Sequence, residues 1–191
     1  MRHVMTALVI ALMCASGSRA LAAATPSVPV VGVVDFYAAT SLGSFEGGSL
    51  ERFAADDLSG QLVRAGGGQM AVAPRRGVRQ AEASLGWRTD DGLRFDRLRA
   101  LARATGADQL VVGWITLLTV DGGGSDEGGP PAAEASVVVQ VFDAASGQIV
   151  SSVSANASTL LGTRTVMAER TLHAALSPTV AALLVTLARV P

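Results

Sequence analysis

Lysine does not occur in this chain: all 15 of its basic residues are arginines. Cysteine occurs once, histidine twice, and aromatic residues make up 4% of the whole. Each scarcity excludes something. Cys14 lies within the first 24 residues, so a chain processed beyond them has no thiol for disulfides or thiolate chemistry. His3 lies there too, leaving His173 as the single imidazole. A metal site needs several convergent ligands, so no metal and no cofactor is predicted. Charged residues amount to 16% of the chain. Without Arg2 and Arg19 the acids outnumber the arginines, 16 against 13. Nucleic-acid affinity comes from clustered cations meeting phosphates, so that class of partner is excluded.

What is present begins with a leader. Met1 to His3 is short and positive, Val4 to Ala15 is apolar, and Ala20-Leu21-Ala22 supplies an A-x-A exit. A membrane-spanning helix needs about 20 apolar residues. This run is shorter, and Ser16, Ser18 and Arg19 follow it closely. The expectation is a signal peptide over residues 1–22, with Ala24 as the alternative cut, and export to the periplasm or the periplasmic side of the outer membrane. Met13 stands where a lipoprotein signal carries a small residue before its cysteine, which argues against a lipid on Cys14. No later segment reads as long and apolar enough to cross a bilayer.

After an extended leader at residues 23–28, the remainder to residue 191 reads as one domain. Val28–Val34 is nearly all apolar and β-branched, the pattern of a strand buried on both faces. Tyr37–Gly48 reads as a loop. Ser49 is placed as the N-cap of a helix carrying Leu50, Phe53, Ala54, Leu58 and Leu62, ended by Gly66. Gln69–Ala73 is a short strand, residues 75–85 are weakly helical, and Asp96 is read as the cap of a helix that Gly106 stops. Gln109–Val120 is the clearest strand, followed by a flexible Gly- and Pro-rich loop over 121–131. Ala135–Phe142 and Gln148–Ser154 form a hairpin turning on Gly147, the residue free to take positive φ. Ser177-Pro178 is expected to divide the last segment into two helices. The predicted architecture is α/β: a layered sandwich of about five mixed strands, with helices packed on the sheet and a C-terminal helix pair.

Reactive motifs are scarce. No G-x-S-x-G elbow accompanies His173, and the triglycine runs lack the Gly-Lys-Ser/Thr of a phosphate loop. Asp35 is the most informative carboxylate, because it follows a buried strand, where open α/β sheets hold ligands. The alternative is that it accepts backbone N–H groups and merely fixes the loop. Phe36, Tyr37 and Trp87 join it as a candidate partner or ligand surface, while Trp114 reads as core. Asp108, Asp143 and His173 are further titratable material with no spacing that unites them.

Several of these features occur together in one family. Val33-Val-Asp-Phe36, then Ala104-Thr-Gly-Ala-Asp108 leading into Gln109-Leu-Val-Val-Gly113, then the hairpin Val141 to Val150, follow one another in its order. The chain thereby resembles the envelope domain shared by the curli secretion channel protein, the lipoprotein activators of penicillin-binding proteins and the N-terminal domain of the Tol-system β-propeller protein. The resemblance implies a non-catalytic domain that docks onto an envelope protein or self-associates. It carries no catalytic residues over, and the 121–131 loop is too short to build a transmembrane hairpin. A small-ligand module using a cleft near Asp35 is the alternative.

Overall fold

The computed structural model describes residues 28–38, 50–88, 91, 94–121, 132–160 and 163–187. The expected signal peptide, Ser49 and the glycine-rich stretch 122–131 lie outside them. The elements in chain order are β1 (Val30–Val33), β2 (Tyr37–Ala38), α1 (Leu50–Ala65), β3 (Ala71–Val72) and α2 (Arg75–Ser84). There follow α3 (Phe95–Thr105), β4 (Gln109–Asp121), β5 (Ala132–Asp143), β6 (Gln148–Leu160) and α4 (Arg164–Leu187).

The chain is an α/β sandwich around a six-stranded mixed sheet. Strand order is β3-β1-β4-β5-β6, with the short β2 paired to β4 beside β1. β1 runs parallel to both β3 and β4, whereas β4, β5 and β6 form an antiparallel meander. The parallel part needs crossovers, and the helices supply them. α1 joins α4 on one face, where Leu58, Leu62, Leu172, Leu176 and Leu183 meet Val31, Val111 and Val139. α2 and α3 cover the other face, where Ala81, Leu98 and Leu101 meet Val34, Leu110, Val112 and Phe142. β1 is thus buried on both sides, which its unbroken apolar sequence requires.

Five expectations need correction. Tyr37 and Ala38 are not loop: they pair with Trp114 and Ile115 and add a sixth strand. Asp96 does not cap α3, which starts at Phe95 after Arg94; Asp96 lies in the first turn and pairs with Arg94. Gly106 does end that helix, at φ 66°. The hairpin is longer than its alternation suggested, because pairing runs on from Ala135↔Ala157 to Ala132↔Leu160. Alanine and serine are weak strand formers, and β4 and α4 override that preference by packing along them.

The fourth correction concerns the C-terminus, which is one continuous helix with Pro178 inside it. Proline removes one backbone hydrogen bond and costs about 3 kcal/mol in a helix interior. Leu172 and Leu176 before it, and Leu183 and Leu187 after it, are fully buried on the same core. Burying each leucine is worth about 1.5–3 kcal/mol. Continuing the helix therefore outweighs the break. The same helix has 24 residues and contains an 18-residue window of mean hydropathy 1.2, so it is also long and apolar enough by composition to cross a membrane, contrary to the sequence reading. Its apolar stripe is instead buried on the sheet.

Candidate functional site

The C-terminal end of β1 is where the fold collects its charge. Asp35 follows the strand, and its backbone N–H donates to Glu82 Oε1 of α2 at 3.0 Å. Arg75, at the start of α2, donates to the Val33 carbonyl and to the Asp35 carboxylate. Its Nε also donates to Asp56 of α1 at 2.9 Å. Arg52 approaches Asp35 from α1 at 3.7 Å, and Arg79 reaches Asp56 at 3.3 Å. The Arg75 side chain is only 10% exposed, so its three acceptors replace nearly all its water. This network ties α1 and α2 to the strand end between them.

Glu82 is buried at 6% exposure. Desolvation pushes its carboxyl up to about 7, although the Asp35 N–H and the neighbouring arginines Arg75 and Arg79 pull the other way. Sequence reasoning missed it. The signal was there, because Val78, Ala81, Glu82 and Leu85 form one face of α2, with a carboxylate inside an apolar stripe.

Phe36 is 2% exposed and packs directly against Gly113. A Cβ on Gly113 would come within 2.2 Å of the Phe36 ring, so the glycine of Gln109-Leu-Val-Val-Gly113 is the space that Phe36 fills. Tyr37 is 4% exposed. Its hydroxyl accepts the Trp87 indole N–H at 2.8 Å, and its ring lies 5.7 Å from that of Trp114. Burial holds this phenol well above the ordinary tyrosine range. Trp87 is half-buried, on a segment fixed by Arg97, which donates to the Leu85 carbonyl at 2.7 Å and to Asp91 at 2.9 Å. The Arg97 hydrogen bond also holds the Asp91 carboxyl below its usual range. Trp114, read as core, is half-buried.

The structure therefore unites Asp35, Phe36, Tyr37 and Trp87 in one region, with Asp35 and Trp87 facing outward more than the other two. Asp108, Asp143 and His173 are not brought to it. Asp108 Oδ2 accepts the Val30 N–H at 2.8 Å, and Asp143 Oδ2 accepts the Ser146 N–H in the β5–β6 turn at 2.7 Å. His173 meets a partner that sequence reading did not name: its Nδ1 is 2.9 Å from Asp57 Oδ2 and 3.3 Å from Gln61 Nε2. These three residues link α4 to α1. Beside them lies an open groove of about 530 Å³, lined by Gln61, Arg64, His173, Ser177, Val180 and Leu184. The groove lies between α1 and α4, not beside Asp35.

Solved structures share this architecture at low sequence identity. The lipoprotein GNA1162 from Neisseria meningitidis matches with a TM-score of 0.54 at 15% identity, covering 85% of this chain and 99% of its own. Protein XCC0632 from Xanthomonas campestris gives 0.49 at 14%, over 85% of this chain and 90% of its own. E. coli LpoB gives 0.46 at 16%, over 69% of this chain and 57% of its own. No family model and no curated protein matches the sequence. The likeness to the Neisseria protein is one of fold, and it runs through the whole described domain rather than one motif.

At the β1 end the chemistry is that of a clasp. Every polar group singled out there has an intramolecular partner: Asp35 has Arg75 and Arg52, and Tyr37 has Trp87.

Proposed function

We propose that this protein is an exported, non-catalytic accessory protein that works in the cell envelope by docking onto a protein complex there. The engaged state of the β1-end residues carries this reading, since the carboxylate best placed for chemistry is committed to two arginines that hold helices in place. The secretory pattern of residues 1–22 supports the compartment. The fold shared with a neisserial lipoprotein agrees with it. On this reading the outward part of the Asp35 and Trp87 region is a contact surface, with Phe36 and Tyr37 setting its shape from beneath.

The test is affinity purification of the processed protein from crosslinked envelope fractions, read by mass spectrometry. Recovery of one envelope complex at near-stoichiometric yield is the expected result. Recovery of the protein alone overturns the docking role.

A second reading, a small-ligand module, has one observation in its favour: the groove between α1 and α4, where Arg64 and His173 line the same space as Val180 and Leu184. Such a lining suits an anion with an apolar body. Incubation with envelope small-molecule extracts followed by native mass spectrometry distinguishes the two, because only this reading expects a mass added to the isolated protein.

A further inference from the structure

The two edges of the sheet differ. At one edge, β3 offers only Ala71 and Val72, closed off by Pro74 two residues later. At the other, β6 is 13 residues long, and none of the described residues pairs with its outer side. A β-bulge at Val150 interrupts its pairing near the start, since Val141 faces Ser151 while Phe142 faces Ile149. Beyond it, Ser151 to Leu160 is regular, Ser-Ser-Val-Ser-Ala-Asn-Ala-Ser-Thr-Leu, with no charge and no proline.

Natural sheets protect long edges with lysine, proline, inward charges or short strands. This run has none of these after the bulge. We propose that β6 is an association edge, and that its occupant is β6 of a second copy of this chain, paired antiparallel about a two-fold axis near Asn156. The inference does not rest on the accessory role proposed above.

Charge and parity favour a second copy. An antiparallel pair places residues of the same face opposite each other, and an isologous contact sets each residue against its own neighbourhood. About an axis at Asn156, Ser154 faces Ser158 and Ser152 faces Leu160 on the open face. Ala155 faces Ala157 and Val153 faces Thr159 on the face beneath α4. No like charges meet, the small side chains let the strands close, and hydroxyls oppose hydroxyls, a pairing that stabilises antiparallel sheets. A strand of one dominant charge would be attracted to a complementary partner; this one is neutral and complementary to itself. α4 leaves the edge accessible, because its contact with β6 is through the inner face, as in Thr171 beside Thr159.

Magnitude sets the expected strength. Ten residues span about 33 Å. A seam of that length without further contact falls below the roughly 1,200 Å² of a standard stable interface. The dimer should therefore be concentration-dependent, with Kd near the micromolar range.

Sedimentation velocity and light scattering of the processed protein from about 1 to 200 µM test this. A monomer–dimer equilibrium in that range is expected. S154K/N156K places like charges across the axis and should weaken the dimer at least tenfold, as should S154E/N156E. Mixing the two variants should restore a dimer carrying one chain of each. Both positions are exposed, and circular dichroism with thermal melting checks that the monomers stay folded. A wild-type protein monomeric throughout the range overturns the proposal, as does a dimer that neither variant weakens. A monomeric variant that still captures an envelope complex leaves the accessory role standing, and the reverse outcome leaves the edge standing.

Discussion

The two ends of the sheet are built on different principles. Around β1 the strand is short and buried on both faces, and it is fastened by ionic contacts from Arg75, Arg52 and Asp56. The β4–β5–β6 meander is long, almost uncharged, and covered fully on one face only, with exposed Thr116, Thr119, Glu134, Ser154, Asn156 and Ser158 along the other. The first end turns its polar groups on itself and becomes rigid. The second pairs its inner strands fully and leaves an open face and the outer side of β6 available. Rigidity and availability are thus separated along a single sheet.

That contrast can be broken in order of expected effect. Arg75→Ala should be the most damaging, because it removes the shared donor of Asp35, Asp56 and the Val33 carbonyl together with a nearly buried side chain. With Asp35 and Asp56 partly exposed and still beside Arg52 and Arg79, a loss of about 3 kcal/mol is expected in urea unfolding. A loss below about 1 kcal/mol would mean that the clasp is ornamental.

Glu82→Gln tests the buried carboxyl. Its folded value near 7 stands above the unfolded 4.5, so the stability linked to its proton is fully present below about pH 4.5 and is lost as pH rises through about 7. The glutamine variant stays neutral and can still accept the Asp35 N–H. Between pH 4 and 8 the wild type should lose about 3 kcal/mol relative to it, because each tenfold difference in proton affinity between the folded and unfolded chain is worth about 1.4 kcal/mol. Parallel pH profiles of the two proteins would refute this.

Gly113→Ala should cost about 2 kcal/mol or more, since the added methyl meets the Phe36 ring. At the far end, Ser154→Thr on the exposed face of β6 should change stability by no more than about 0.5 kcal/mol. Should Ser154→Thr cost as much as Gly113→Ala, the two ends of the sheet do not differ in rigidity.

Much of the framework was legible because it depends on local patterns. The apolar run of β1, the 3.6-residue spacing of α1, the stop at Gly106 and the turn at Gly147 each follow from a few neighbouring residues. What escaped depends on distant ones. Pro178 is tolerated only because leucines on both sides of it share one core. β2 becomes a strand only because Trp114 and Ile115 lie alongside. The Arg75 clasp joins residues 19, 40 and 42 positions apart, and no local rule places that arginine on Asp56, Asp35 and Val33. The four residues singled out do converge, although Phe36 and Tyr37 converge inward. His173 found Asp57, 116 residues away.

The parallel pairing of β1 also sets an order of assembly. Val30 exchanges hydrogen bonds with Asp108, 78 positions later, whereas β4, β5 and β6 each meet the element that follows them directly. Closing a long loop is entropically unfavourable until many contacts offset it, so the meander and α4 should form first and β1 should join last. Pulsed hydrogen exchange would then protect Val139 before Val31. A sheet whose opening strand waits for its middle closes from the inside outward, and its N-terminal segment is the last to give up its freedom.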